Sequence, residues 1–179
     1  GEGNNEAIEV SKSEAAAKLV PADLAERGVL KVGTDATYAP NQYAGPDGKP
    51  IGWEVELVEA VAAKLDLEVE WQKSGFDQII PRVDGGTLDL GSSSFSDTVE
   101  RQKSVDFVDF YNAGLQFVRG ADEKELTDDL CGLKIGAQAT TTSDDYLTAK
   151  SKECEAAGKP PIQILKNCLL YTSPSPRDG

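Results

Sequence analysis

Short apolar strands alternate with amphipathic helices along most of this chain, and this alternation constrains its fold more than any other feature. The pattern predicts strands at "VLKVG", "LEVEW", "LDLG", "LKIGAQ" and "IQIL". Helices are predicted between them, because apolar residues recur at helical spacing from Trp53 to Leu65 and "FDQIIPRVDGG" ends in two glycines. Strands that alternate with helices form parallel or mostly parallel sheets, so we expect an α/β fold.

The strand–loop–helix pattern restarts at Leu133, which predicts a second lobe. "GLQFVRG" is expected to be extended, and the acidic "DEKELTDDL" to be an exposed helix. The tail "CLLYTSPSPRDG" breaks the pattern and resembles a translated sequencing-library adapter, with a natural disordered terminus as the alternative. The expected parts are an N-terminal tether at 1–20, a first lobe at 21–115, part of a second lobe at 116–167 and a non-native tail at 168–179.

The composition excludes several classes of function. The 31 acidic and 18 basic residues give a formal net charge of −13, which argues against nucleic acid or anionic lipid as partners. The absence of histidine removes Ser–His and Cys–His nucleophile pairs and histidine-based metal sites, and we expect no metal and no cofactor. No apolar run approaches the roughly 20 residues that a membrane span needs.

Two cysteines, Cys131 and Cys154, flank one predicted strand–helix unit. They could pair in an exported protein, where such a loop would add about 3 kcal/mol of stability in the chain-entropy model. Two free buried thiols are the alternative, and the spacing alone does not decide between them.

Three polar loops follow predicted strands: "TDATY", "SSSFSDT" and "ATTTSDD". In an open α/β sheet, ligands bind beyond the carboxyl ends of the strands. The last two loops are predicted to open helices, whose first N–H groups favour an anion. Arg101, about one turn into the first of these helices, offers a forked donor that fits a carboxylate. This arrangement predicts a carboxylate clamp.

Each of these residues also has an ordinary structural interpretation. Ser96 or Asp97 could cap the helix, with Glu100 completing a capping box, and Arg101 could be a surface residue.

Residues near the other loops could contact the rest of a ligand. Tyr38 and Phe76 lie at loop–helix junctions and could cover an apolar stem, although core packing is the alternative. Asp35 could accept a cationic or polar group, or could act as a turn residue that bonds its own backbone.

Four stretches together resemble the family-3 solute-binding proteins, the extracytoplasmic receptors of polar amino acid ABC importers. They are "LKVGTDATYAP", "GWEVELVEAVAAKL", "FDQIIPRVDGGTLDLGSSSFSDTVERQKSVDF" and "IGAQATTTSDDYL", and the resemblance runs from about Leu19 to Leu165. The stretch "SSFSDTVERQKSVDF" and the cysteine pair are similar to the actinobacterial branch, whose members are commonly lipid-anchored. The resemblance implies a two-lobe, type II periplasmic-binding-protein-like fold, with the first lobe nearly complete and the second partial.

The resemblance also implies a ligand set. Ser94, by its backbone, and Ser96 would meet the α-amino and α-carboxylate groups, and Arg101 would hold the carboxylate in a bidentate pair.

Further residues would contact the side chain or close the site from the second lobe. Tyr38 and Phe76 would flank the ligand side chain, with Asp35 near its tip. Thr141 and Thr142 would add hydroxyl and N–H donors.

The chain departs from the family pattern at several positions. Thr140 stands where glycine is frequent, Asn41 where an aromatic residue is common, and Trp53-Glu54 replaces the frequent Phe-Asp. The acidic residue that usually grips the α-amino group would come from the second lobe beyond Leu165. If the tail is an adapter, the natural chain is expected to be cut short near Asn167.

The function implied is that of a monomeric, non-enzymatic receptor outside the cytoplasm, either free or lipid-anchored, that delivers a free polar amino acid to an ABC permease by hinge closure. Two alternatives stay open: a cyclohexadienyl or arogenate dehydratase on the same fold, and the input domain of a membrane sensor. The sequence does not identify the amino acid.

Overall fold

The computed structural model describes residues 9–167 and divides them into two compact units. The first unit comprises residues 9–74 and 79–94, and the second comprises 75–78 and 95–167. Residues 1–8 of the expected tether, and the predicted tail with Cys168, lie outside the described residues. The proposed lobe boundary at residue 115 stays a prediction.

The helices and strands follow one another in an α/β order. The helices are α1 (Glu14–Ala17), α2 (Ala22–Arg27), α3 (Trp53–Lys64), α4 (Phe76–Asp84) and α5 (Thr142–Ala156). The strands are β1 (Val29–Thr34), β2 (Thr37–Tyr38), β3 (Gln42–Ala44), β4 (Pro50–Ile51), β5 (Glu68–Lys73), β6 (Leu90–Gly91), β7 (Lys134–Gln138) and β8 (Gln163–Asn167).

The first unit is built on a parallel sheet in the order β5-β1-β6, as the alternating pattern predicts. Val32 in the middle of β1 pairs with Trp71 on one side and Leu90 on the other. Val32 is fully buried and shares a core cluster with Val58 and Ala62 from α3. Because β1 and β6 run in the same direction, the loops that follow them emerge at the same edge of the sheet.

Two parts of the first unit are more ordered than the sequence indicates. The Gly- and Pro-rich loop after β1 contains a small antiparallel sheet in the order β2-β3-β4. The segment expected to be a tether contains α1, and the amide of Ser13 donates to the carbonyl of Lys64 at 2.9 Å.

The second unit contains the parallel pair β7–β8 and the helix α5. Leu147 of α5 packs in a cluster with Ala137 of β7 and with Cys154. Cys154 is bonded to Cys131, with their Cα atoms 5.6 Å apart, which confirms the predicted disulfide. A crosslink that spans 23 positions contributes about 3 kcal/mol in the chain-entropy model.

Two predictions for residues 92–130 are wrong. Only a 3-10 helix, Arg101–Lys103, follows the serine loop, so Arg101 begins this helix, and Glu100 caps it without a side-chain hydrogen bond. The hydroxyl of Thr98 accepts the Arg101 amide at 3.2 Å, in the same way that an N-cap side chain does. No helix forms at "DEKELTDDL", because this segment has too few apolar residues for a helix face that could be buried.

Asp89, the residue before β6, connects this strand to β1 and α2. Its carboxylate accepts the Lys31 amide of β1 at 2.8 Å and pairs with Arg27 at the end of α2. Burial raises the pKa of Asp89, but the hydrogen bonds from Arg27 and from the Lys31 amide outweigh it, so the pKa lies below its ordinary value of 3.8. Asp89 therefore stabilises the folded state in its ionised form.

Replacing Asp89 by Asn should lower the free energy of unfolding at pH 7 by about 1 kcal/mol, because a charged acceptor is lost. A carboxylate whose pKa is depressed by folding stabilises above its unfolded pKa, and this contribution disappears as the pH falls through the folded value. The difference between wild type and variant, measured by urea unfolding, should therefore shrink below pH 3.8. The exposed Asp84→Asn is the control, and a difference that persists unchanged at pH 2 would contradict this role.

Candidate functional site

The predicted ligand residues divide between the two units. Those of the first unit are Asp35, Tyr38 and Ser94, and those of the second are Phe76, Ser96, Arg101, Thr141 and Thr142.

In the first unit, the loop after β6 is organised by a buried carboxylate. Glu54 is only 1% exposed. It accepts the hydroxyl of Ser92 at 2.9 Å, and both the amide and the hydroxyl of Ser94, at 2.8 and 2.6 Å. Since the Ser94 amide is committed to Glu54, the backbone group that Ser94 can offer a ligand is its carbonyl, an acceptor suited to an ammonium group.

The start of α3 places Glu54 beside this loop. Gly52, with φ of 128°, precedes the helix, and a Cβ atom there would lie 2.2 Å from the carbonyl oxygen of Asn41. The amide of Glu54 donates to that same carbonyl at 3.0 Å. The chain can approach so closely only because residue 52 is glycine. Glu54 also lies in the first turn of α3, where the helix dipole favours a negative charge.

Sequence reasoning missed the role of Glu54, although a signal was present. Glu54, Val58 and Ala62 are spaced four residues apart on the buried face of α3. A carboxylate within an apolar stripe must find hydrogen-bond donors, and the hydroxyl-rich loop supplies them.

Asp35 lies at the end of β1 and is 4% exposed. Its amide donates to the hydroxyl of Ser93 at 3.1 Å, and its carboxylate accepts the hydroxyl of Thr37 at 2.6 Å. The carboxylate thus bonds a side chain two residues further along the chain. Tyr38, by contrast, is 43% exposed.

In the second unit, Arg101 is half-buried among aromatic rings. Its guanidinium carbon lies 5.7 Å from the centre of the Phe76 ring and 5.4 Å from that of Phe95. The two rings stack on each other with centroids 4.5 Å apart. Burial lowers the pKa of Arg101, against a smaller raising effect from Asp145.

Two backbone carbonyls fix the direction of the guanidinium. Nη1 donates to the carbonyl of Ser96 at 2.9 Å, and Nη2 donates to the carbonyl of Thr140 at 3.1 Å. A guanidinium has five N–H donors, so these two bonds orient the group without using all its donors. Ser96 thus contacts Arg101 through its backbone.

In the loop before α5, as in the loop beside Glu54, a backbone amide donates to a buried carboxylate. Thr140 has a positive φ of 65°, and its amide donates to the carboxylate of Asp144 at 3.1 Å. Asp144 is 6% exposed and also pairs with Lys166, at 3.2 Å. This chain therefore keeps a left-handed turn at Thr140 without a glycine.

The predicted threonines lie at the start of α5. Thr141 is the N-cap: its hydroxyl accepts the Asp144 amide at 3.2 Å and donates to the Gln138 carbonyl at 2.8 Å. Thr142 is the first helical residue. Their contact with a ligand stays a prediction.

Within residues 9–167, no group of three or more His, Cys, Asp and Glu side chains is arranged to hold a metal ion. No helix in the same range combines the length and apolar character needed to cross a membrane.

We expect Asp144→Ala to lower the free energy of unfolding by about 1–3 kcal/mol, because a buried charged acceptor is lost from the Thr140 turn. Thr140→Gly should recover part of this loss, since glycine adopts the left-handed conformation without steric cost. Denaturant unfolding of both single variants and the double variant measures this coupling. Asp145→Ala, which removes the exposed neighbouring carboxylate, is the control; an equal loss in Asp144→Ala and Asp145→Ala would refute the role of Asp144.

Comparison with known proteins supplies relatives for these two units. Residues 30–160 match the family of bacterial extracellular solute-binding proteins, family 3. The chain is 41% identical over 150 residues to the arginine-binding protein ArgT of Corynebacterium glutamicum, covering 82% of this chain and 49% of that protein.

Two solved structures are similar in fold. An ancestral arginine-binding protein bound to arginine has a TM-score of 0.65 and 31% identity, over 81% of this chain and 63% of the other. The ancestral amino acid-binding protein AncCDT-1, a precursor of cyclohexadienyl dehydratase, has a TM-score of 0.71 and 30% identity, over 83% and 65%. The chain thus spans about half the length of the curated relative it matches.

Proposed function

The chain belongs to the bacterial extracellular solute-binding proteins of family 3, and from this membership we propose that the whole protein is an extracytoplasmic receptor that delivers a polar amino acid to an ABC importer. The fold predicted from the sequence is confirmed as the two-lobe, type II periplasmic-binding-protein class, with a partial second lobe. The relative from Corynebacterium agrees with the predicted actinobacterial branch.

The observation that carries the proposal is the setting of Arg101. Its guanidinium is half-buried, bounded by the Phe76 and Phe95 rings and directed by the carbonyls of Ser96 and Thr140. A preoriented guanidinium with donors to spare fits a carboxylate in two parallel hydrogen bonds. An amino acid carries such a carboxylate.

We propose a cationic amino acid, with arginine as the first candidate. The Corynebacterium relative and one solved neighbour are named as arginine-binding proteins. In this chain, the buried carboxylate of Asp35 provides an acceptor beyond the end of β1, and the exposed ring of Tyr38 provides a face over which a guanidinium can stack. Both groups suit the tip of an arginine side chain.

The proposal has three further parts. The receptor closes about a hinge, transfers its ligand to a permease, and is located at the cell surface or in the periplasm. A ligand that contacts the closed state more extensively than the open one shifts the equilibrium towards closure. The dehydratase alternative is weaker, because the relatives described above are named as amino acid-binding proteins.

In the full-length protein, Arg101→Ala should weaken arginine binding by about 2–5 kcal/mol, because the ligand carboxylate would be desolvated without its partner. Arg101→Lys should recover only part of the affinity, because an ammonium cannot form the forked pair. Isothermal titration calorimetry with arginine measures both.

The matched control is Arg119→Lys, since Arg119 also donates to a backbone carbonyl, that of Glu123 at 2.7 Å, but is exposed. Unchanged affinity in Arg101→Ala would reject the clamp, and a wild-type protein that binds none of the twenty amino acids would reject the receptor function.

A further inference from the structure

We propose that Glu54 is a positioning residue for ligand binding, which acts by fixing Ser94 through a hydrogen-bonded chain that also includes Asn41 and Trp53. This inference rests on the proposed receptor function. The indole N–H of Trp53 donates to Oδ1 of Asn41 at 3.1 Å, and Nδ2 of Asn41 donates to Oγ of Ser94 at 2.9 Å. The hydroxyl of Ser94 then donates to Oε2 of Glu54 at 2.6 Å.

The hydrogen bonds of this network all run in one direction, from Trp53 through Asn41 and Ser94 to Glu54. An indole N–H can only donate, so the oxygen of the Asn41 amide faces Trp53 and its NH₂ faces Ser94. A serine hydroxyl has one hydrogen, and Ser94 gives it to Glu54 while accepting from Asn41. An ionised carboxylate at the end of such a chain strengthens the bonds before it.

The network matters for ligand binding because of the backbone of Ser94. Ser94 has a positive φ of 54°, a conformation that serine adopts only when its surroundings impose it. Glu54 holds both the amide and the hydroxyl of this residue. The direction of the Ser94 carbonyl, the group we assign to the ligand's ammonium, therefore depends on a carboxylate that need not touch the ligand.

Three of the four residues in this network are also positions where this sequence departs from the pattern that the family resemblance implies. Asn41 stands in place of a common aromatic residue, and Trp53-Glu54 in place of the frequent Phe-Asp. The structure joins these three departures in one hydrogen-bonded network.

The test measures two quantities in the full-length protein: amide hydrogen exchange at Ser94 by NMR, and the Kd for arginine by calorimetry. Glu54→Gln keeps the shape but places an NH₂ group against donors, so protection of the Ser94 amide should fall, and the Kd should rise, by at least about tenfold. Glu54→Asp retains the charge and should recover part of both.

Three comparisons make the result specific to this network. The amide of Val32, in the core of the same unit, is the internal reference: a loss of global stability would change its exchange by the same factor as that of Ser94. Glu56→Gln removes an exposed carboxylate from the same first turn of α3 and should behave as wild type. Asn41→Ala removes the hydrogen bonds to Trp53 and Ser94 but leaves Glu54 in place, and it should give a smaller loss in both quantities.

The outcomes are distinguishable. Unchanged Ser94 protection in Glu54→Gln, or equal changes at Ser94 and Val32, would overturn the positioning role. Lost protection with an unchanged Kd would show that Ser94 does not serve the ligand, and would also overturn it. If Glu54→Gln fails to fold, Asn41→Ala decides by the same two readouts. A wild-type protein that binds no amino acid contradicts the receptor function, while exchange at Ser94 still decides whether Glu54 holds this residue.

Discussion

A buried carboxylate in the first turn of a helix holds a backbone amide in each of the two units. Glu54 binds the amide of Ser94, and Asp144 binds that of Thr140. Both acceptor residues are nearly inaccessible, and both donors have positive φ without being glycine. A carboxylate removed from water requires hydrogen-bond donors, and a strained backbone requires contacts that hold its conformation. The hydrogen bond from the backbone amide to the carboxylate meets both requirements.

This constraint gives the polar loops their form. Ser92–Ser94 would otherwise be a flexible run of hydroxyls after a two-residue strand, and the turn at Thr140 would favour glycine. Fixing the Thr140 turn also fixes its carbonyl, which accepts Nη2 of Arg101 at 3.1 Å. The direction of the guanidinium therefore depends on Asp144, although the two side chains are not paired in the described contacts.

The sequence predicted the regular elements well because their signals are periodic. β1, β5 and α3 lie where the apolar pattern placed them, and the disulfide closes the predicted strand–helix unit. The prediction of a helix after the serine loop was wrong: Thr98 accepts the Arg101 amide as a cap would, but only the 3-10 helix Arg101–Lys103 follows.

The inward-facing carboxylates were harder to predict. An acidic residue is usually exposed, and only its place on the buried face of a helix marks it as different. Glu54 and Asp144 both lie on such faces, with Val58 and Leu147 one turn further along. The partners of Glu54, Ser92 and Ser94, are 38 and 40 residues away in the sequence, and no local pattern identifies them, whereas Thr140 lies only four residues before Asp144.

The central claim is that Arg101 is held ready for the carboxylate of an amino acid. The most direct measurement is a crystal structure of the full-length protein with arginine bound. The account predicts two N–H donors of Arg101 within about 2.7–2.9 Å of the ligand's α-carboxylate oxygens, with Phe76 and Phe95 still beside the guanidinium. A structure in which the ligand carboxylate binds elsewhere, and Arg101 contacts only the carbonyls of Ser96 and Thr140, would contradict it.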